Sequence, residues 1–142
     1  SRWCDNGDGT VTDMLGYNGN GICLVWLQQA DCLGTQPWVA SSGVDAHTRV
    51  FQLEDGQCGL SDGSGTGEWS LPTAGQMLIL TRGTDPVREY WMRAFTGVQD
   101  TDYWTSTATS ISYATRIDMG SGLLGTSTRS TNHNLWAVRY GN

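Results

Sequence analysis

Four cysteines and two histidines are the residues of this chain best suited to covalent, metal-binding or acid–base chemistry. Cys4, Cys23, Cys32 and Cys58 include no Cys-x-x-Cys pair, so their spacing gives no support to a zinc site or thioredoxin-type redox chemistry. An even number of cysteines in a small, Gly- and Trp-rich chain predicts two disulfides and an oxidising compartment. The alternative is four buried thiols in a cytosolic protein. Four cysteines allow three pairings. Cys4–Cys23 and Cys32–Cys58 are favoured because each closes a local loop, at about 3 kcal/mol per bridge.

His47 and His133 are far apart in sequence. A hydrolase needs a nucleophile held by an oriented base, and no Gly-x-Ser-x-Gly elbow is present. The chain is therefore expected not to be an enzyme. Asp5-Asn6-Gly7-Asp8-Gly9 superficially suggests calcium. An EF-hand loop needs oxygen ligands at alternate positions and a Glu at its twelfth. Here the alternate positions are Gly7 and Gly9 and the twelfth is Gly16, so a tight hairpin is the better reading. No metal and no cofactor are expected.

The chain has 142 residues, a formal charge of −6, eight Arg and no Lys. A nucleic-acid binder needs a cationic stripe to displace phosphate counterions, and the Arg residues are scattered. The same argument disfavours heparin-like polyanions and anionic membranes. The longest apolar run, Ile22 to Leu27, is strand-sized and far below the ~20 residues of a membrane span. No signal peptide precedes Ser1, so a secreted protein would stand here in mature or trimmed form.

The elements that must position these residues can be read in order. Cys4 to Asp13 is a hairpin turned by Asn-Gly and Asp-Gly. Gly16 to Gly21 is a second turn, and Ile22 to Leu27 a buried strand. A helix is expected to open at Pro37, to run on Val39, Ala46, Val50 and Leu53, and to end near Asp55-Gly56. His47 falls near its core face. Ser61 to Gly67 is a Ser/Gly loop. A second helix starts at a capping box formed by Thr73 and Gln76, faces the core with Met77, Leu78 and Leu80, and stops at Gly83. Asp85-Pro86 opens one more short turn. Beyond Tyr103 the chain becomes Ser/Thr-rich. Ile117 and Met119 alternate with Arg116 and Asp118 as in a half-buried strand. Gly120-Ser121-Gly122 is a turn and Leu135 to Val138 a final strand. Trp104 and Trp136 are core residues, and Arg139 anchors carbonyls or a carboxylate. The order predicts a single α+β domain over 1–142, with two helices packed on short, mainly antiparallel sheets.

Several phrases together resemble one family. They are Asp5-Asn6-Gly7-Asp8-Gly9-Thr10-Val11-Thr12-Asp13, Val25-Trp26-Leu27, Ala30-Asp31-Cys32 and Gly56-Gln57-Cys58-Gly59-Leu60-Ser61-Asp62-Gly63-Ser64. Then follow Gly67-Glu68-Trp69-Ser70-Leu71-Pro72-Thr73, Phe95-Thr96-Gly97-Val98-Gln99, Tyr103-Trp104-Thr105-Ser106-Thr107 and Val138-Arg139. Their order over nearly the whole chain resembles the C-terminal domain of the Legionella collagen-like protein. The family usually has Arg where this chain has Ser70, and Cys4 and Cys23 look like an added bridge. The resemblance implies a C-type-lectin-like fold with close termini, displayed at the tips of bacterial surface lipoproteins, adhesins or pilin-like proteins. Some members are the variable proteins of diversity-generating retroelements, and the family's best-known member is an adhesin that trimerises and binds sulfated polysaccharides. The acidic, Lys-free composition argues against that last ligand class. Gln36-Pro37-Trp38 lacks the acid of the calcium-chelating lectin triplets, so mannose-type chelation is not expected.

The candidate binding surface is the segment from Tyr103 to Asn134. It mixes Tyr, Ser, Thr, Asn, His and Gly with single charges, the palette of adaptable paratopes. Its candidate contact residues are Tyr113, Arg116, Asp118, Asn132, His133 and Asn134. The expected function is an extracellular, surface-displayed ligand-binding domain whose partner is a surface protein or glycan. The alternative is the globular module of a pilin-like filament subunit, a homo-oligomer whose contacts are with its own copies.

Overall fold

A computed structural model describes residues 2–17, 20–82 and 93–141. Among these the chain is α+β, with two helices and two mostly antiparallel sheets. The expected stop at Gly83, the turn at Asp85-Pro86 and part of the Gly16 to Gly21 turn lie outside the described residues.

The N-terminal hairpin forms as the Asn-Gly and Asp-Gly pairs require. Strand β1 (Trp3–Asp5) pairs with β2 (Thr10–Tyr17), and β2 with β3 (Cys23–Leu27). The hairpin turn is docked. Gly9 has φ +87° and lies against the Gly59 backbone, where a Cβ would collide. The Ser61 amide donates to the Asp8 carbonyl at 2.9 Å. The apolar run in β3 has a simple cause, since Leu24, Val25, Trp26 and Leu27 are all buried, on both faces of the strand. β9 (Val138–Tyr140) completes the sheet beside β3, in the order β1-β2-β3-β9. Trp3, Asp13, Leu24 and Tyr140 form one row across it. The two ends of the described chain thus stand three strand spacings apart, about 14 Å.

One bridge, Cys32–Cys58, is formed, with a Cα–Cα separation of 5.7 Å, and it ties the segment after β3 to the loop that holds the hairpin. The second expected bridge is not formed: Cys4 and Cys23 are free thiols. Sheet order is the reason. β2 lies between the two strands, and Cys4 is in register with Thr12 and Val25, two residues from Cys23. Two strand spacings and two residues put the Cα atoms about 12 Å apart, beyond the ~7 Å that a disulfide can span.

The first helix is shorter than its apolar spacing suggests. α1 spans Ala46–Phe51, with Asp45 as N-cap accepting from the Thr48 amide. Residues 37–44 are not helical. Trp38 turns inward there and donates its indole N–H to the Thr105 carbonyl at 2.8 Å, and Gly43 takes φ +77°. Val50 and Leu53 still face the core. α2 (Ala74–Arg82) begins on the expected capping box. The Gln76 amide donates to Thr73 Oγ1 at 3.1 Å, and the Thr73 amide donates to Gln76 Oε1 at 2.9 Å.

The second sheet contains β4 (Thr35–Gln36), β5 (Asp102–Ala108), β6 (Tyr113–Asp118), β7 (Leu123–Thr128) and β8 (His133–Asn134), in the order β4-β8-β5-β6-β7. The expected final strand at Leu135 to Val138 is displaced. Leu135, Trp136 and Ala137 are buried irregular chain between β8 and β9. Trp136 is the aromatic hub, edge-on to Trp26, Phe95 and, at a tilt, Tyr103, with centroids 5.5, 5.0 and 5.6 Å away. Each such pair adds about 0.5–1.5 kcal/mol beyond area burial. The Arg139 anchor is a carboxylate, Asp62, at 3.0 Å.

Candidate functional site

The five-stranded sheet has one face in the core and one turned outward. Tyr103 and Ile117 are opposite each other on the inner face and fully buried. The Tyr103 hydroxyl donates to the Ala30 carbonyl at 2.8 Å and accepts from the Gln99 amide. Burial first, then the Asp31 charge, pushes this phenol up to about 12. Strand alternation sends Asp102, Trp104, Arg116 and Asp118 to the other face, where Trp104 lies opposite Arg116 and Asp102 opposite Asp118.

On that face a small polar network covers Trp104. Arg116 Nη1 lies 3.3 Å from Asp102 Oδ1. The Arg116 guanidinium is laid flat over Gly125 of β7, where any Cβ would come within 2.6–2.8 Å of it. The His133 ring sits edge-on to the Trp104 ring, centroids 4.6 Å apart, and its Nε2 is 2.8 Å from Ser127 Oγ. The Trp104 indole N–H is spent on the Gln36 carbonyl at 3.0 Å, so the ring itself is a buried apolar floor. Burial lowers the His133 pKa below its ordinary value. The Arg116 charge acts in the same direction and Asp102 opposes them.

Ser127, His133 and Asp102 have the residue types of a hydrolytic relay. Their geometry differs from one. His133 Nδ1 is 4.0 Å from Asp102 Oδ2, beyond hydrogen-bond reach. Asp102 is instead shared with Arg116, and a base of that kind needs an oriented partner. Among the described residues, no three His, Cys, Asp or Glu side chains converge as a metal cradle.

The six expected contact residues fall into three groups. Arg116, Asp118 and His133 come together around Asp102. They are half-buried, where fully exposed positions were expected. Asp118 accepts from the Gly120 amide at 2.8 Å and from Ser121 Oγ at 3.2 Å, which closes the β6–β7 turn. Asn134 is adjacent, but its side chain donates to the Asp102 carbonyl and fastens β8 to β5. Asn132 is exposed in the turn before β8, and Tyr113 is exposed at the far end of β6. Five residues along a strand place Tyr113 about 17 Å from Asp118. His133, expected on a loop, is in β8. His47 is on α1 as expected, but it is exposed and packs edge-on against Trp38 at 4.6 Å.

Sequence reasoning missed Asp102, Gly125 and Ser127, and assigned Trp104 only to the core. The signal was the register of β5 on β6 and β7, which places residues 102 and 104 beside 118 and 116. Neither a protein-family model nor a curated protein sequence matches this chain.

Proposed function

We propose that this is an extracellular, surface-displayed ligand-binding domain of the C-type-lectin-like class, related to the C-terminal domain of the Legionella collagen-like protein, and that it is not an enzyme. The observation that carries the reading is the outer face of the five-stranded sheet. There Asp102, Arg116 and His133 present fixed polar groups over a buried Trp104, with Asp118 beside Asp102 at the β6–β7 turn. Such a face offers donors and acceptors whose positions are set by the sheet, so that little ordering remains on binding. The ordered run of family phrases supports the lectin-like class. The Cys32–Cys58 bridge supports an oxidising, extracellular location. The 4.0 Å gap between His133 and Asp102 supports a non-catalytic role.

The ligand is a surface protein or a glycan. The acidic chain disfavours polyanions and nucleic acid. The test is a binding screen of the labelled domain against glycan arrays and displayed surface proteins, run beside Arg116→Gln and His133→Gln. Hits that both substitutions abolish support the reading. Hits that survive both, or covalent labelling of Ser127 by a fluorophosphonate, overturn it.

A further inference from the structure

The two thiols left free lie on one face of the first sheet. Cys4 is opposite Thr12, and Thr12 is opposite Val25. Cys23 is two residues before Val25, so alternation returns it to the same side. Asn6 joins this side from both ends: its Oδ1 accepts from the Cys4 thiol at 3.6 Å and its Nδ2 donates to Thr12 Oγ1 at 2.8 Å. Cys4 is exposed and Cys23 half-buried. Beside Cys23 runs a groove of about 350 Å³ whose lining includes Thr12, Met14, Ile22, Cys23 and Val25, with Gly21 and Gly141. Met14 is 51% and Ile22 37% exposed. None of these seven carries a charge, on a chain whose net charge is −6.

We infer that this face is the contact between two copies of the chain, joined by reciprocal disulfides from Cys4 of each copy to Cys23 of the other. A two-fold axis lying in the contact plane, across the midpoint between the two residues, sets each Cys4 opposite the partner's Cys23, since an isologous contact pairs residue i with j and j with i. The ~12 Å between the two Cα atoms within one chain then becomes the spacing of two bridges instead of an obstacle to one. A partner that engages both thiols needs two of its own at the same spacing, and a second copy carries them. The groove lining is uncharged, and Arg139, opposite Val25 on the same face, is paired with Asp62 at 3.0 Å, so no unpaired acid of these residues meets its copy across the contact. The contact shares no residue with the outer face of the five-stranded sheet.

The oxidant is a low-molecular-weight disulfide. The Cys4 thiolate attacks one of its sulfurs, forming a mixed disulfide and expelling one small thiolate. The Cys23 thiolate of the second copy attacks the Cys4 sulfur and expels the other. Each bridge removes two protons and two electrons from two protein thiols and reduces one small disulfide to two thiols.

The test uses the whole chain, equilibrated with oxidised and reduced glutathione. The wild type is expected to run as a covalent dimer by light scattering and on a non-reducing gel, and to fall to monomer with dithiothreitol. Peptide mapping is expected to give a Cys4–Cys23 peptide between differently isotope-labelled copies. Cys4→Ser and Cys23→Ser, each checked for native secondary structure by circular dichroism, are expected to stay monomeric alone and to form a covalent heterodimer when mixed. A monomer with two alkylatable thiols, a Cys4–Cys23 link within one chain, or Cys4–Cys4 and Cys23–Cys23 links would each overturn the inference.

Discussion

Removing the Cys32–Cys58 bridge isolates one stabilising device whose size follows from chain geometry. The two residues are separated by 26 positions. Closing a loop of that length in the unfolded chain is worth about 3.5 kcal/mol at 25 °C. Cys32 is exposed and Cys58 only half-buried, so truncating both side chains leaves no sealed cavity to add to that figure. The loop they anchor keeps its own turns, in which the Gly56 amide donates to the Leu60 carbonyl and the Leu60 amide to Gln57. The folded state should therefore survive with unchanged secondary structure. For 142 residues, an unfolding entropy of about 2.1 cal/mol/K per residue converts 3.5 kcal/mol into a fall in Tm of about 12 °C. The assay is urea and thermal unfolding by far-ultraviolet circular dichroism. Cys32→Ala/Cys58→Ala is compared with its parent, both carrying Cys4→Ser and Cys23→Ser so that no other thiol can exchange. A loss below about 1 kcal/mol would refute the reasoning, because the bridge would then place no constraint on the unfolded chain.

Three further outcomes are expected. Thr73→Ala removes the capping hydrogen bond to the Gln76 amide and should lower stability by about 1 kcal/mol in the same unfolding assay. The folded-state pKa of His133 lies below its ordinary value, because burial and Arg116 disfavour the charged ring while Asp102 only partly compensates. The unfolded state then binds more protons, so stability is full above about pH 6.5 and falls as the pH drops toward the folded-state pKa. The urea midpoint should fall between pH 7.5 and 5, and His133→Gln should flatten that slope. Gly125→Ala puts a methyl group where the Arg116 guanidinium rests. The side-chain end can swing away, so stability should change by less than about 0.5 kcal/mol, while the Arg116 Nε–H signal in a nuclear magnetic resonance spectrum should shift.

What could be read from the sequence was local. The Thr73/Gln76 capping box, the Asn-Gly and Asp-Gly hairpin, the apolar run of β3 and the alternation through Arg116, Ile117 and Asp118 depend on neighbours a few residues apart. Each appears where expected, except that the buried strand begins at Cys23 and leaves Ile22 outside it and exposed. What failed was set by partners far along the chain. Pro37 and the apolar spacing after it suggested a long helix, but Trp38 finds its hydrogen-bond acceptor at Thr105, and the helix waits for the Asp45 cap. Cys4 and Cys23 suggested a local bridge, but β2 is inserted between their strands. Arg116 and His133 were named without Asp102, the residue that joins them. Asp102 meets them only through strand pairing across the sheet and the return of β8 beside β5. For the same reason Tyr113 and Asn132, close to the others in sequence, stand apart from the network.

The most direct test of the binding face is to map where a captured ligand touches the isotope-labelled domain by chemical-shift perturbation. The outer-face account predicts that the largest shifts fall on Asp102, Arg116, Asp118, Ser127 and His133, with Trp104 Nε1–H shifting beneath them. Shifts concentrated on Thr12, Cys23 and Val25, or spread over residues remote from the five-stranded sheet, would contradict it.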